Sequence, residues 1–152
     1  MTRYRTITAS IALLACAALA ACSNSALSAA AKAEAAISLG CSSAFTITTQ
    51  AQSSGVISLA DATAVVNVLI TIEQANQQAE TATAAIAAAP TTSGIAGLGN
   101  VLAPVNTALT NAIQGGFVGI KDAATKQKII LALTTAQTVL TGAIAIISAV
   151  KS

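Results

Sequence analysis

Two long stretches of this chain place apolar residues at helical spacing and are marked at their ends. In the first, Leu59, Ala62, Val66, Leu69, Ile72, Ala79, Ala82 and Ile86 recur every three or four residues down to Pro90. Ser58 and Asp61 stand ahead of it as a capping box, in which the serine hydroxyl takes an orphan N–H and the aspartate reaches back. This predicts a helix of about 30 residues, roughly 45 Å long at 1.5 Å per residue. In the second, Asp122 caps a helix over 123–150, where Ile129, Leu133, Ala136, Leu140, Ala143, Ile147 and Val150 form one stripe. Thr134, Thr138, Thr141 and Ser148 form another, with Gln137 between them. Two rods of similar length predict an all-α protein built on a long antiparallel helical hairpin, accompanied by one or two shorter Ala-rich helices.

The intervening segments are read more coarsely. Ser25 to Leu39 is a strong helix former with Gly40 at the stop position. Cys41 to Gly55, rich in Ser, Thr and Gln, reads as a connection, with FTITT as a minor strand option. Pro90 to Asn100 reads as a turn-forming loop whose Gly94, Gly97 and Gly99 do not follow a phosphate-binding order. A short helix over Val101 to Gln114 follows, with Pro104 in its first turn and Gly115-Gly116 ending it. The expected organisation is a leader over 1–21, an N-terminal helix and Ser/Thr-rich tether over 22–57, and a helical hairpin or bundle over 58–152.

Composition decides how such helices pack. The chain is 55% hydrophobic but only 2% aromatic and 8% charged, so Ala supplies much of the apolar content and Ile, Leu and Val must carry the core. Beyond residue 21, five lysines (Lys32, Lys121, Lys126, Lys128, Lys151) balance five acids (Glu34, Asp61, Glu73, Glu80, Asp122). No basic field remains for a nucleic-acid backbone, and Phe45 and Phe117 are the only aromatics left for base stacking. The acids cluster early and the lysines late, which reads as solvated faces or as a weak aid to pairing.

The first 21 residues carry Arg3 and Arg5 ahead of an apolar run from Ile7 to Ala21, the pattern of a secretory signal and too short for a comfortable span. Its exit, Leu19-Ala20-Ala21-Cys22, resembles the lipobox of bacterial lipoproteins. That resemblance covers residues 1–23. It implies that Leu19, Ala20 and Ala21 are read by the lipoprotein signal peptidase, and that Cys22 receives a diacylglyceryl thioether and becomes an acylated N-terminus in the bilayer. By the same resemblance Ser23, where Asp would retain the protein in the inner membrane, sorts it to the periplasmic face of the outer membrane. Leu13-Leu14-Ala15-Cys16 is a poorer match because Leu14 is large. Ala18-Leu19-Ala20 offers an ordinary secretory cut, which would leave Cys22 free to pair with Cys41. With Cys22 acylated, Cys41 is a lone thiol best read as a small buried residue.

The chain holds no histidine, no nucleophile beside a base, and no zinc or calcium pattern. Glu73, Gln77 and Glu80 read as a solvated helix face rather than as paired catalytic carboxylates. The expectation is a non-enzyme without a cofactor. The plan of a lipobox followed by a small helical body opening with GVISLADA is similar to small uncharacterised lipoproteins of Gram-negative bacteria and their prophages. It implies an envelope accessory with a structural or interaction role, anchored through Cys22 and presenting a face to an envelope protein. A prophage version would mask a receptor or assist lysis. A different class stays open. Ile129 to Val150 is long enough to span a bilayer and is flanked by Lys126, Lys128 and Lys151, as in a holin-like or pore-associated protein. Packing against the 59–89 helix is the preferred fate of that segment.

Overall fold

The computed structural model describes the backbone of residues 3–150 and the side chains of residues 24–150. Four helices account for nearly all of it: α1 (Arg3–Ser53), α2 (Leu59–Ala88), α3 (Thr92–Gly115) and α4 (Ala123–Val150). The all-α expectation holds. Short connections make consecutive helices antiparallel, so α4 also runs opposite to α1 and the four form an up-and-down bundle. Around it α1 packs on α2 and α4, and α3 packs on the same two.

The buried positions explain why the helices associate. They are Ala62, Val65, Leu69, Ile72, Asn76, Ala79 and Thr83 on α2, and Ile95, Leu98, Leu102, Val105, Leu109 and Ala112 on α3. Both sets alternate steps of three and four residues, the seven-residue repeat that keeps a seam facing its partners in left-handed bundles. On α4 the buried residues are Thr125, Ile129, Leu133, Ala136, Leu140, Ala143 and Ile147, which is the expected stripe with Val150 partly covered at its end. On α1 the seam is mostly Ala26, Ala30, Ala33, Ile37, Gly40, Ala44, Thr48 and Ala51. Small residues there let α1 and α4 approach closely. A Cβ added at Gly40 would stand 3.0 Å from the Ala136 Cβ and 3.1 Å from the Ala132 carbonyl oxygen.

Several expectations are corrected. Gly40 does not stop a helix; it lies inside α1 at a close approach to α4. The segment 41–53 is helical, neither connection nor strand. Its threonines bond back to carbonyls of the preceding turn, Thr46 to Ser42 at 2.9 Å and Thr48 to Ala44 at 2.7 Å, so their hydroxyls are satisfied within the helix. Helix α3 begins at Thr92, where the Thr91 hydroxyl accepts from the Gly94 N–H, and much of the expected 90–100 loop is its first two turns. Pro104 therefore sits inside the helix. It and Asn100, whose carbonyl loses its amide partner, are both on the solvent side.

The pairing of rods also differs: the backbones of α2 and α4 do not approach each other, and each packs instead on α1 and α3. On α2 Ala62, Leu69, Ile72 and Ala79 are buried as expected, but Val65 and Thr83 are buried where Val66 and Ala82 were expected, and Leu59 is exposed. The caps are as read. Ser58 Oγ accepts from the Asp61 N–H at 3.1 Å and donates to Asp61 Oδ2 at 2.6 Å, while Asp122 Oδ1 accepts from the Thr125 N–H at 2.7 Å.

Candidate functional site

Leu19, Ala20, Ala21, Cys22 and Ser23 belong to the backbone of α1, and their side chains lie outside the described residues. The helix runs through this stretch without a break, and Ala26, the first buried side chain among those described, comes four residues after Cys22. The register places Cys22 on the same line of α1 as Ala29, Ala36 and Ser43, at intervals of seven residues.

A second constellation lies between α1 and α2, and only part of it was visible beforehand. Asn76 is fully buried at a seam position that neighbouring turns give to Ile72 and Ala79. Its Nδ2 faces three acceptors: the Glu34 carbonyl at 3.2 Å, Ser38 Oγ at 3.2 Å and Glu80 Oε1 at 2.9 Å. Two hydrogens are shared among them, while Asn76 Oδ1 accepts no bond. Two turns further along α2, Thr83 Oγ1 donates to Glu34 Oε1 at 2.6 Å, and one turn before Asn76, Glu73 Oε2 accepts from Ser38 Oγ at 3.3 Å. Glu73 and Glu80 thus border a buried polar seam, where a wholly solvated face was expected.

The electrostatics follow from burial among like charges. Glu34 is held above the usual carboxylate range, chiefly by desolvation; the Thr83 hydrogen bond opposes this and the charge of Glu80 adds to it. The Cys41 thiol is pushed up to about 12 by burial first, then by the charge of Glu73 and a hydrogen bond to it. A thiol so disposed is protonated at neutral pH and is a poor nucleophile. Cys41 forms part of the floor of an open groove of about 550 Å³ whose walls include Phe45, Val66, Ile70 and Gln77. Among the described residues no group of three or more Cys, Asp or Glu side chains is arranged to hold a metal ion.

This seam can fix the register of α1 against α2, since the bonds from Asn76 to Glu34 and Ser38, from Thr83 to Glu34 and from Ser38 to Glu73 each join one particular turn of α1 to one of α2. Glu34, Ser38, Asn76 and Thr83 were not singled out from the sequence. The signal was present in the spacing, because Asn76 and Thr83 continue the three-and-four rhythm that Leu69 and Ile72 begin.

Comparison with known proteins finds no match: no family model, no curated protein and no solved structure is significantly similar to this chain.

Proposed function

We propose that this protein is a membrane-anchored envelope lipoprotein with a structural or interaction role, held by acyl chains on Cys22 and carrying the four-helix bundle directly behind the anchor. The observation that supports this reading most is the Leu19-Ala20-Ala21-Cys22 sequence, and the continuity of α1 adds how the body would sit behind the anchor. The helix passes from the Leu19-Ala20-Ala21-Cys22 sequence into the buried seam at Ala26 with no linker between. A lipid on Cys22 would therefore set the height and orientation of a rigid body rather than the end of a flexible tether. Three acyl chains hold far more firmly than the single chain that binds reversibly, at about 0.8 kcal/mol per buried CH₂. In this reading Ser23 directs sorting to the periplasmic face of the outer membrane, and a second envelope protein is the partner.

The test is fractionation of cells making the wild-type chain or Cys22→Ser with a labelled fatty acid. The reading predicts label and membrane residence for wild type and loss of the label for Cys22→Ser. Equal labelling, or none in either, removes it.

One observation favours a second reading. Helix α4 has a mean hydropathy of 1.9 over an 18-residue window, only 28% of which is buried, as a spanning segment of a holin-like protein would. The seam residues Ile129 to Ile147 favour packing, because insertion would have to strip α1 and α3 from them.

A further inference from the structure

The exposed residues of α1 and α4 are sorted by side. On α1, Glu34, Ser38 and Cys41 face α2 and Gly40 faces α4, so Ala29, Ala36 and Ser43 border the α4 side. Lys32 and Leu39 lie just outside them. On α4, Gln137 Nε2 donates to Thr110 of α3 at 2.8 Å and Ala132 faces α1, which puts Thr135, Val139, Gly142 and Ile146 on the side away from α3. Lys128 and Leu131 continue that side toward the start of the helix. The flank shared by α1 and α4 therefore exposes four large aliphatic side chains: Leu39 (69%), Leu131 (67%), Val139 (39%) and Ile146 (47%).

The charges on this flank have one sign. Lys32 and Lys128 lie on it, whereas Glu34, Glu73 and Glu80 lie on the α1–α2 seam, Asp61 is held by Ser58, and Asp122 caps α4. Helix α3 has no charged residue. Two copies meeting through this flank would bring together faces that each carry Lys32 and Lys128, with Asp122 at the α4 cap, close enough to feel the charge of Lys128, as the one neighbouring acid. An anionic bilayer matches both features, since aliphatic side chains enter the interface while lysines reach the headgroups. The anchor position agrees, because Cys22 shares the line of Ala29, Ala36 and Ser43.

We propose that the bundle lies with its α1–α4 flank against an anionic lipid surface, with Leu39, Leu131, Val139 and Ile146 in the interface and Lys32 and Lys128 at the headgroups. This orientation rests on the lipoprotein reading for its biological setting, and the lipid contact itself needs no acyl group. It differs from insertion of α4, because Ile129, Leu133, Leu140 and Ile147 stay in the core.

All buried side chains described lie between Ala26 and Ile147, so a chain beginning at Ser23 carries the whole core without leader or lipid. Its co-flotation with vesicles of phosphatidylglycerol and phosphatidylethanolamine, against vesicles of phosphatidylcholine, tests the proposal. Binding at least tenfold stronger to the anionic vesicles is expected. Leu131→Glu/Ile146→Glu and, separately, Lys32→Glu/Lys128→Glu should each lower it at least tenfold with helical content and melting unchanged. No vesicle binding, or binding that both variants keep, overturns the proposal. So does a dimer in lipid-free buffer that Leu131→Glu/Ile146→Glu dissociates, which would give the flank to a second copy. Exposure of Cys41 to a thiol reagent on vesicle binding would mean that the bundle opens, and would replace this account by insertion. An unacylated Cys22 in cells would remove the anchor and leave the vesicle result standing.

Discussion

Glu34 and Thr83, 49 residues apart, meet across the α1–α2 seam in a 2.6 Å hydrogen bond from the threonine hydroxyl to a carboxyl with little exposure to water. Burial of the carboxyl outweighs that hydrogen bond and the like charge of Glu80 adds to it, so the folded state holds a proton on Glu34 more tightly than the unfolded chain does. Stability from this site is then fully present below the ordinary glutamate pKa and declines as pH rises through the raised folded-state value. Glu34→Gln keeps an acceptor for Thr83 and removes the titration. Urea unfolding at several pH values should show the decline in wild type and a flatter profile in Glu34→Gln, with the variant the more stable at neutral pH.

Asp122 works in the opposite direction. Its carboxylate accepts from Thr125 and is held below the usual range by that hydrogen bonding, chiefly from the side chain, with Lys128 adding a favourable charge. Its contribution is present above the ordinary aspartate pKa and is lost as pH falls through the depressed value. Asp122→Ala should lower stability at neutral pH and leave it nearly unchanged in strong acid, as read by melting temperature.

Two glycines separate packing from helix propensity. Replacing either by alanine gains about 1 kcal/mol of intrinsic helix preference. At Gly40 the new methyl meets Ala136 and the Ala132 backbone at 3.0 and 3.1 Å, so α4 must move; at Gly142 nothing lies within 4 Å. Overpacking costs about 1–3 kcal/mol. Gly142→Ala should raise stability and Gly40→Ala should lower it, with Gly40→Ala/Ala136→Gly recovering part of the loss in a double-mutant cycle.

Asn76 has an acceptor that nothing satisfies and sits among aliphatic residues. Asn76→Leu removes that orphan oxygen and strands no buried group, because Ser38 retains Glu73 and Glu80 is exposed. It should raise stability by roughly 1 kcal/mol while loosening the α1–α2 register, since buried polar seam residues favour specificity over strength. Slower amide exchange overall, with faster local exchange around Glu34, would be the signature. Leu69→Asp, on the same stripe, should abolish cooperative melting, whereas Glu73→Ala should change it little.

Helix α4 was legible because its period is carried by large residues at Ile129, Leu133, Leu140 and Ile147. Helix α1 beyond Gly40 was not, because its seam is Ala44, Thr48 and Ala51, residues whose burial depends on the close approach of another helix. A glycine that permits such an approach looks in sequence like one that ends a helix. The first turns of α3 were hidden similarly, with Ile95 and Leu98 buried among glycines that suggested a loop. The polar seam was missed because Asn76 and Thr83 interrupt an apolar pattern they in fact continue. The exclusion of α2 from α4 depends on the order of helices around the bundle, which periodicity does not encode.

In the proposed arrangement Cys22 is the point where a rigid bundle meets the bilayer. The intact mass of the mature N-terminal peptide from cell membranes, with Cys22→Ser as control, tests this most directly. A peptide that begins at Cys22 and carries diacylglyceryl and amide-linked acyl chains is the predicted result. A peptide that begins at Ala21 with an unmodified Cys22 would contradict it and make the protein a secreted bundle.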